Sequence, residues 1–285
     1  MSVQGSKPKA VEELVDFYFH RRLAMPVVQA AARMGLTPNQ VTWLSLFAGL
    51  LSAFLFYRGW FPSGSLALLA AIVLDCSDGM LARITGTSSP VGRVLDGSFD
   101  TVWIVLIWVA LYVSGPYTPS SDFTLPFMAI AGASMPLHCW SYDGVKTSYV
   151  SLCEPGFSEK HLSADEAGRR ARESLRSRKY FDALLYTIMA YHHAVFVRPP
   201  RESLQLDAKT RASAREILAR SMRLWSFLGE GTHLALFFAA GLITPFFPDA
   251  MLAACGVILV PMNLLWLAAA LLWFRDKKRV LEAAG

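Results

Sequence analysis

The segment from Asp75 to Asp100 places four aspartates and two arginines between two strongly apolar runs. Asp75 and Asp78 are three residues apart, and Asp96 and Asp100 are four residues apart, so each pair lies on one face of a helix. A charged side chain in a membrane helix costs about 2.5–3.5 kcal/mol at the bilayer centre and less near the surface. This cost, and the mutual repulsion of four carboxylates, predict that cations lie among them.

The residue types in this segment favour phosphoryl chemistry on divalent metal ions. Carboxylate oxygens suit Mg²⁺, Mn²⁺ or Ca²⁺, and four carboxylates can hold two ions that stabilise the entering and leaving oxygens of a phosphoryl transfer. Gly79 and Gly92 remove side chains where a phosphate or sugar would approach the backbone. Arg83, close to Asp78 on the same helix, can bind a phosphate through two hydrogen bonds.

Cation transport is the non-enzyme alternative for the same aspartates. Carboxylates inside membranes often form ion paths, but such paths lie near the middle of the membrane, between repeats or broken helices. Here the carboxylates cluster toward one end of two helices, and the sequence contains no visible repeat. The spacing therefore favours an enzyme over a transporter.

The composition indicates a polytopic membrane protein. Of the 285 residues, 54% are hydrophobic and 17% are charged. About 20 apolar residues cross a bilayer as a helix. The sequence contains six such runs, roughly residues 38–58, 63–82, 93–114, 124–144, 224–245 and 249–274. We therefore predict an all-α bundle of six transmembrane helices. Residues 1–17 lack the short apolar core of a cleaved secretory signal.

The distribution of basic residues predicts the orientation in the membrane. Of the 27 lysines and arginines, only Arg58 falls on the side of the loops that follow the first, third and fifth runs. The positive-inside rule thus places both termini and the aspartates in the cytoplasm, for a protein of the cell inner membrane or an equivalent membrane. A cytoplasmic face that meets anionic lipid accounts for the net charge of +5, so no nucleic-acid partner is expected.

The chain divides by pattern into four parts. These are an interfacial segment (1–36) with an amphipathic helix over 10–33, transmembrane helices one to four (37–146), a cytoplasmic or interfacial helical insertion (147–222), and helices five and six with a basic tail (223–285). Thr37 and Ser163 are predicted helix caps. The insertion is predicted to contain an interfacial helix that includes His192 and His193, and a last helix that runs unbroken into the fifth span.

The four cysteines give no indication of a disulfide or a zinc site. Cys76, Cys139, Cys153 and Cys255 show no CxxC spacing, and three of them lie in or beside apolar runs.

At the aspartates the sequence resembles the CDP-alcohol phosphotransferase family, whose signature is DxxDGxxARx8GxxxDxxxD. Every fixed position is present: Asp75, Asp78, Gly79, Ala82, Arg83, Gly92, Asp96 and Asp100. The likeness covers roughly residues 15–145 and 223–274 and excludes the insertion. It implies a membrane transferase of phospholipid synthesis that splits the pyrophosphate of a CDP-linked alcohol, releases CMP and joins the phospho-alcohol to an acceptor hydroxyl.

The resemblance also assigns roles to individual residues. It implies that Asp75, Asp78 and Asp96 bind two divalent ions, Mg²⁺ or Mn²⁺, and that Asp100 is a ligand or the general base, so Asp96 and Asp100 are the predicted catalytic pair. The residues that would line the CMP pocket are Gly79, Ala82, Arg83 and Gly92, with Asn39 and Thr42 at the head of the first span. A homodimer is implied by family likeness alone.

The donor and acceptor follow less directly from the residues. CDP-diacylglycerol is the favoured donor, and a small CDP-alcohol such as CDP-choline or CDP-ethanolamine is the alternative. Lys146, Arg220 and Arg223 would clamp a phosphate-bearing acceptor, or they are basic anchors at the membrane surface. Glu230 and His233 would orient or deprotonate an acceptor hydroxyl, or they satisfy each other between helices.

Two further polar residues are predicted to have a structural role. His138 and Asn263 lie in the fourth and sixth predicted spans. A hydrogen bond between these helices is favoured over ligand binding for both residues.

Overall fold

The structure, a computed structural model, describes residues 9–87, 90–113, 124–154, 163–195 and 206–283. The side chains of residues 9, 90–98, 124, 125, 188, 192, 193 and 195 lie outside this description. All regular structure in the described ranges is helical, which confirms the all-α class. The helices are α1 (Arg21–Arg33), α2 (Pro38–Tyr57), α3 (Phe61–Thr85), α4 (Pro90–Val113), α5 (Thr124–Cys153), α6 (Ala164–Arg176), α7 (Tyr180–Val195), α8 (Ala208–Trp225), α9 (Glu230–Ile243), α10 (Ala250–Val257) and α11 (Asn263–Glu282).

The predicted helix caps are confirmed. Thr37 accepts a hydrogen bond from the Gln40 backbone N–H, and Gln40 Oε1 accepts one of 2.8 Å from the Thr37 backbone N–H, so a reciprocal capping box fixes the start of α2. Ser163 Oγ accepts a 3.1 Å hydrogen bond from the Glu166 N–H at the start of α6. Gly86 ends α3 with a φ of +68°, a left-handed conformation that glycine adopts without strain.

The described residues form two compact units. The first unit contains Val15–Ser134 and Gly231–Leu259; the second contains the residues up to Leu14, Met135–Glu230 and the residues from Val260 onward. The units are defined by spatial contacts, and each combines pieces of several of the four parts predicted from the sequence. The division into four parts remains a prediction.

In the first unit, α2 packs against both α3 and α4. Its buried surface includes several small residues. Ser45 Oγ donates a 3.0 Å hydrogen bond to the Ala71 carbonyl, and Ser52 Oγ donates a 2.8 Å bond to the Gly64 carbonyl. Gly49 lies between these serines on the same face. Small side chains let helices approach closely in an apolar environment, and their hydroxyls are satisfied across the contact.

In the second unit, α8 packs against α11, and α6 packs against α7 as a helical hairpin. The N-terminal segment also belongs to this unit. Tyr142 Oη of α5 donates a buried 2.6 Å hydrogen bond to the Val11 carbonyl. Trp266 Nε1 of α11 donates a 3.0 Å bond to Ser141 Oγ of α5. These bonds join α5, α11 and the N-terminal segment.

Four helical stretches are long and apolar enough to cross a membrane: Pro38–Tyr57, Phe61–Thr85, Ala208–Ile243 and Ala250–Glu282. Phe99–Val113 is a shorter apolar stretch within α4. A polytopic membrane protein is thus supported, and the count of six spans stays a prediction. In the last stretch, α10 and α11 are joined by a π-helical turn at Ile258–Met262 that contains Pro261, which lacks the N–H of a regular helix.

Two predicted helices differ in detail from the structure. The amphipathic helix predicted over 10–33 is a π-helical turn at Asp16–His20 followed by α1, and its place at the membrane interface stays a prediction. The helix predicted to run unbroken into the fifth span is interrupted between Trp225 and Glu230. The interruption coincides with a tertiary contact at Gly229, described below, which apolar periodicity does not reveal.

Candidate active site

The first two aspartates of the signature lie in the last third of α3, in the first unit. This is the end of the helix that is predicted to face the cytoplasm. Asp75 is half-buried, and Asp78 is buried with 4% of its surface exposed. The Thr42 hydroxyl of α2 donates a 2.7 Å hydrogen bond to Asp78 Oδ2, and both groups are buried. A buried carboxylate requires hydrogen bonds or cations to remain ionised. Thr42 supplies one such bond and fixes the orientation of the Asp78 carboxylate.

Asp100 of α4 is held by a tryptophan that sequence analysis did not single out. Trp103 Nε1 donates a 3.0 Å hydrogen bond to Asp100 Oδ1, and the indole is 1% exposed. The ring packs against Gly49 of α2 so closely that a Cβ at position 49 would overlap it. Residues three apart are neighbours on a helix surface, so the spacing of Asp100 and Trp103 was a signal in the sequence for this bond. The role of Gly49 had no such signal, because it depends on which helices are neighbours.

Arg83 and Gly79 lie together on α3, as the signature predicts. The Arg83 side chain is exposed and turns back along the helix. Its guanidinium nitrogens would lie 3.6 and 3.9 Å from a Cβ at Gly79. A Cβ at position 79 would therefore make ordinary van der Waals contact with the guanidinium, and the binding of a phosphate by Arg83 stays a prediction. Ala82 is half-buried on the same helix.

The remaining signature residues lie on the first part of α4. Gly92 and Asp96 belong to this helix, and their side-chain surroundings fall outside the described residues. Asn39 is exposed in the first turn of α2, one turn before the buried Thr42. The structure therefore brings Thr42 to Asp78 and leaves Asn39 at the surface.

The carboxylate oxygens of the site are of the type that binds hard divalent cations. Asp75, Asp78 and Asp100 all lie in the first unit and offer carboxylate oxygens. Among the described side chains, no three His, Cys, Asp or Glu residues converge into a metal centre. Asp96, the third predicted ligand, is outside that set, so the ligand arrangement stays a prediction.

Comparison with known proteins identifies the segment that contains these residues. The family model for CDP-alcohol phosphatidyltransferase matches residues 35–137. Residues 35–137 are a CDP-alcohol phosphatidyltransferase domain. The match includes all eight signature positions, and also Thr42, Gly49 and Trp103. No solved structure gives a significant match to the chain.

Curated relatives that match this chain are named as synthases of inositol phosphate lipids. The chain is 32% identical to the archaetidylinositol phosphate synthase of Aeropyrum pernix over 42% of this chain and 65% of that protein. It is 35% identical to the phosphatidylinositol phosphate synthase of Cutibacterium acnes over 32% of this chain and 45% of that protein. The chain thus spans from about half to just under two-thirds of the length of these relatives.

The predicted acceptor residues all lie outside the CDP-alcohol phosphatidyltransferase domain. Lys146 Nζ is 3.4 Å from Asp143 Oδ1 and lies over the Tyr142 ring, with its side chain 17% exposed. Arg220 and Arg223 are exposed on α8. A cation held against a ring and a half-exposed carboxylate has a restricted position, so Lys146 is the most ordered of the three basic candidates.

Glu230 and His233 lie one turn apart at the start of α9, as predicted. Glu230 is half-buried, and His233 is completely buried. His138 and Asn263 form the predicted contact between helices, because His138 Nε2 lies 3.3 Å from Asn263 Oδ1. This confirms their structural role. The side chains of His192 and His193 lie outside the described residues.

Sequence analysis also missed a buried carboxylate in the second unit. Glu13 is 9% exposed, and its carboxyl group packs directly on Gly229. A Cβ at position 229 would overlap that carboxyl group, so only glycine allows the contact. The close approach coincides with the interruption between α8 and α9. No sequence signal relates residues so distant along the chain.

Proposed function

We propose that this protein is an integral membrane CDP-alcohol phosphotransferase of phospholipid biosynthesis. In this proposal it transfers the phosphatidyl group of CDP-diacylglycerol to a hydroxyl of inositol phosphate and releases CMP. The single observation that carries the proposal is the signature itself. It lies complete within a CDP-alcohol phosphatidyltransferase domain, on helices whose aspartates are held in place by Thr42 and Trp103.

The reaction is a substitution at phosphorus. The acceptor oxygen forms a bond to the phosphorus that carries the diacylglycerol, and the bond from that phosphorus to the bridging oxygen breaks. The bridging oxygen and its electron pair leave with CMP. The acceptor proton passes to a carboxylate, a role that the proposal gives to Asp100. The Trp103 bond to Oδ1 would orient this carboxylate for that role.

Two divalent ions, Mg²⁺ or Mn²⁺, would neutralise the diphosphate and stabilise the charge on the entering and leaving oxygens. Asp75, Asp78 and Asp96 are the proposed ligands, with Asp100 as ligand or base. The hydrogen bond from Thr42 orients Asp78 for this purpose, since partners of ligand side chains fix ligand geometry. Arg83, whose guanidinium lies beside Gly79, would bind a phosphate of the nucleotide.

Inositol phosphate is proposed as acceptor on two grounds. Curated relatives are named as inositol phosphate lipid synthases. The chain also carries basic residues suited to the acceptor's phosphate, of which Lys146 is held in a restricted position. Arg220 and Arg223 would contribute further positive charge. Glu230 and His233 would contact the inositol hydroxyls.

The membrane arrangement completes the proposal. The apolar helices hold the protein in the bilayer, where a lipid-linked donor is dissolved. In this proposal the aspartates and both termini lie on the cytoplasmic side, as the distribution of basic residues favours, where nucleotides and inositol phosphate are available. A homodimer is proposed by family likeness.

The test uses the purified full-length protein in lipid nanodiscs. CDP-diacylglycerol, CDP-choline and CDP-ethanolamine are each combined with inositol phosphate, inositol, glycerol phosphate or a diacylglycerol, and CMP release and lipid products are measured. The proposal predicts Mg²⁺-dependent or Mn²⁺-dependent CMP release with CDP-diacylglycerol and inositol phosphate, and a phosphatidylinositol phosphate product. Release with a small CDP-alcohol alone would instead identify a head-group transferase. Cation flux in sealed vesicles without nucleotide turnover would identify a transporter.

A further inference from the structure

The hairpin formed by α6 and α7 has an exposed tip that is both cationic and apolar. We define the hairpin tip as Leu175, Arg176, Arg178, Lys179, Tyr180 and Phe181, all of which are exposed. Leu175, Tyr180 and Phe181 are 57%, 66% and 56% exposed. An exposed group of large apolar side chains beside three cations is typical of a surface that contacts a partner or a membrane.

The hairpin does not need these residues for its own packing. Its buried residues include Ala167 and Ala171 of α6 and Ala183, Leu185, Tyr186 and Met189 of α7. Arg170, by contrast, has partners within the hairpin. Hydrogen bonds to Tyr186 and Glu166 raise the pKa of the Arg170 guanidinium above its ordinary value. The tip residues are therefore available for a contact outside the hairpin.

Arg178 lies at the turn between α6 and α7, where the backbone is left-handed. Arg178 has a φ of +58° and is the one residue other than glycine with a positive φ in the described part of the chain. Glycine or asparagine adopts this left-handed conformation at less cost than a long side chain does. An arginine at this position keeps a cation at the turn despite the backbone cost.

We propose that the hairpin tip docks on the anionic lipid surface of the membrane that holds the protein. Basic residues attract anionic lipid, and aromatic residues lie well at the boundary between head groups and acyl chains. In the chain, the hairpin precedes the stretch Ala208–Ile243, which is long and apolar enough to cross a membrane. This surface lies outside residues 35–137, so the inference does not depend on the proposed reaction.

A spin label at the turn tests the docking in the full-length protein. Ser177 is exposed between Arg176 and Arg178, and Ser177→Cys provides the attachment site. The native protein, labelled in parallel, gives the background. Of its cysteines, Cys153 and Cys255 are buried, and burial raises the pKa of Cys153 to about 12, which makes it unreactive at neutral pH. Relaxation by an aqueous nickel chelate is measured in nanodiscs of phosphatidylcholine, with or without phosphatidylglycerol.

Docking predicts that the label is shielded from the nickel chelate in the anionic nanodiscs and accessible in the neutral ones. The variant R176Q/R178Q/K179Q should lower the docking equilibrium constant by about 100-fold, since each cation near an anionic surface contributes roughly a factor of five. The matched control K277Q/K278Q/R279Q removes the same charge from α11 and should leave the label shielded. In the unsubstituted hairpin, 1 M salt should also release the label, because the screening length falls to about 3 Å.

Two results would overturn the inference. Equal accessibility in anionic and neutral nanodiscs would show that lipid charge does not hold the tip, and would favour a protein partner absent from the nanodisc. Shielding that persists in R176Q/R178Q/K179Q, or in the native hairpin at 1 M salt, would show an apolar or protein contact. The salt measurement needs no hairpin charge substitution, so it remains decisive if the triple variant fails to fold.

Discussion

The Thr42 hydroxyl and the Asp78 carboxylate are joined by a buried 2.7 Å hydrogen bond between the first turns of α2 and the end of α3. Asp78 is the only one of the described signature aspartates that is buried. The capping box at Thr37 fixes the start of α2, and therefore the depth of Thr42 beside α3. The position of Asp78, a proposed metal ligand, thus depends on the helix cap at Thr37, which lies five residues before Thr42.

Replacing Thr42 by valine removes this bond and keeps the shape of the side chain. We expect CMP release to fall by roughly 10- to 100-fold, and more Mg²⁺ to be needed for half-maximal rate, because the loss of a partner to a ligand has effects of this size. The rate is measured as a function of Mg²⁺ concentration in nanodiscs.

Ser45→Ala is the matched control, since Ser45 also donates across the contact with α3 but to the Ala71 carbonyl. It should leave the Mg²⁺ dependence unchanged. Equal effects of Thr42→Val and Ser45→Ala would contradict the role assigned to Thr42.

Replacing Trp103 by phenylalanine removes the N–H that binds Asp100 Oδ1. We expect turnover to fall by about 10-fold with little change in the apparent KM for CDP-diacylglycerol, because the change acts on the base and not on donor binding. Steady-state kinetics at saturating Mg²⁺ measure both quantities.

Trp108→Phe provides the comparison for this prediction. Trp108 is on the same helix and makes an edge-to-face contact with Phe237, with ring centroids 5.1 Å apart. Its Nε1 is buried without a hydrogen-bond partner. The substitution removes similar volume and no hydrogen bond. Turnover should be retained, and a loss equal to that of Trp103→Phe would show that volume, not the hydrogen bond, matters.

Replacing Gly229 by alanine should destabilise the second unit. The new Cβ would overlap the Glu13 carboxyl group, and overpacking of this kind costs about 1–3 kcal/mol. The free energy of unfolding is measured in mixed micelles with increasing SDS. Glu13→Ala should relieve the overlap, so the double variant is expected to lose less stability than the two single losses summed.

Gly256→Ala is the control for this substitution. Its Cβ would lie 3.6 Å from Phe127, an ordinary contact, so stability should change by less than about 0.5 kcal/mol. Strict additivity of Gly229→Ala and Glu13→Ala would contradict the direct contact.

Local features of the fold were predictable because they depend on neighbours in sequence. The caps at Thr37 and Ser163 follow from side chains that reach backbone groups three residues ahead. The aspartate spacing likewise defines one face of a helix. The His138 and Asn263 contact was predicted because polar groups in apolar helices seek each other.

The features that were missed depend on which helices become neighbours. Gly49 has meaning only because the Trp103 ring packs on it, and Gly229 only because Glu13 does. Apolar periodicity across Ser226–Gly229 is nearly continuous, so it predicts one helix where the structure has two. Pairwise contacts between distant segments leave no periodic signal in a single sequence.

The most direct measurement of the central claim is CMP release from CDP-diacylglycerol by purified native protein and by Asp78→Asn, with and without EDTA. The account predicts release by the native protein that EDTA abolishes and Mg²⁺ or Mn²⁺ restores, and a loss of at least about 10³-fold in a folded Asp78→Asn variant, because a neutral amide is a poor ligand for a hard cation. Undiminished release by Asp78→Asn, or by native protein in EDTA, would contradict it.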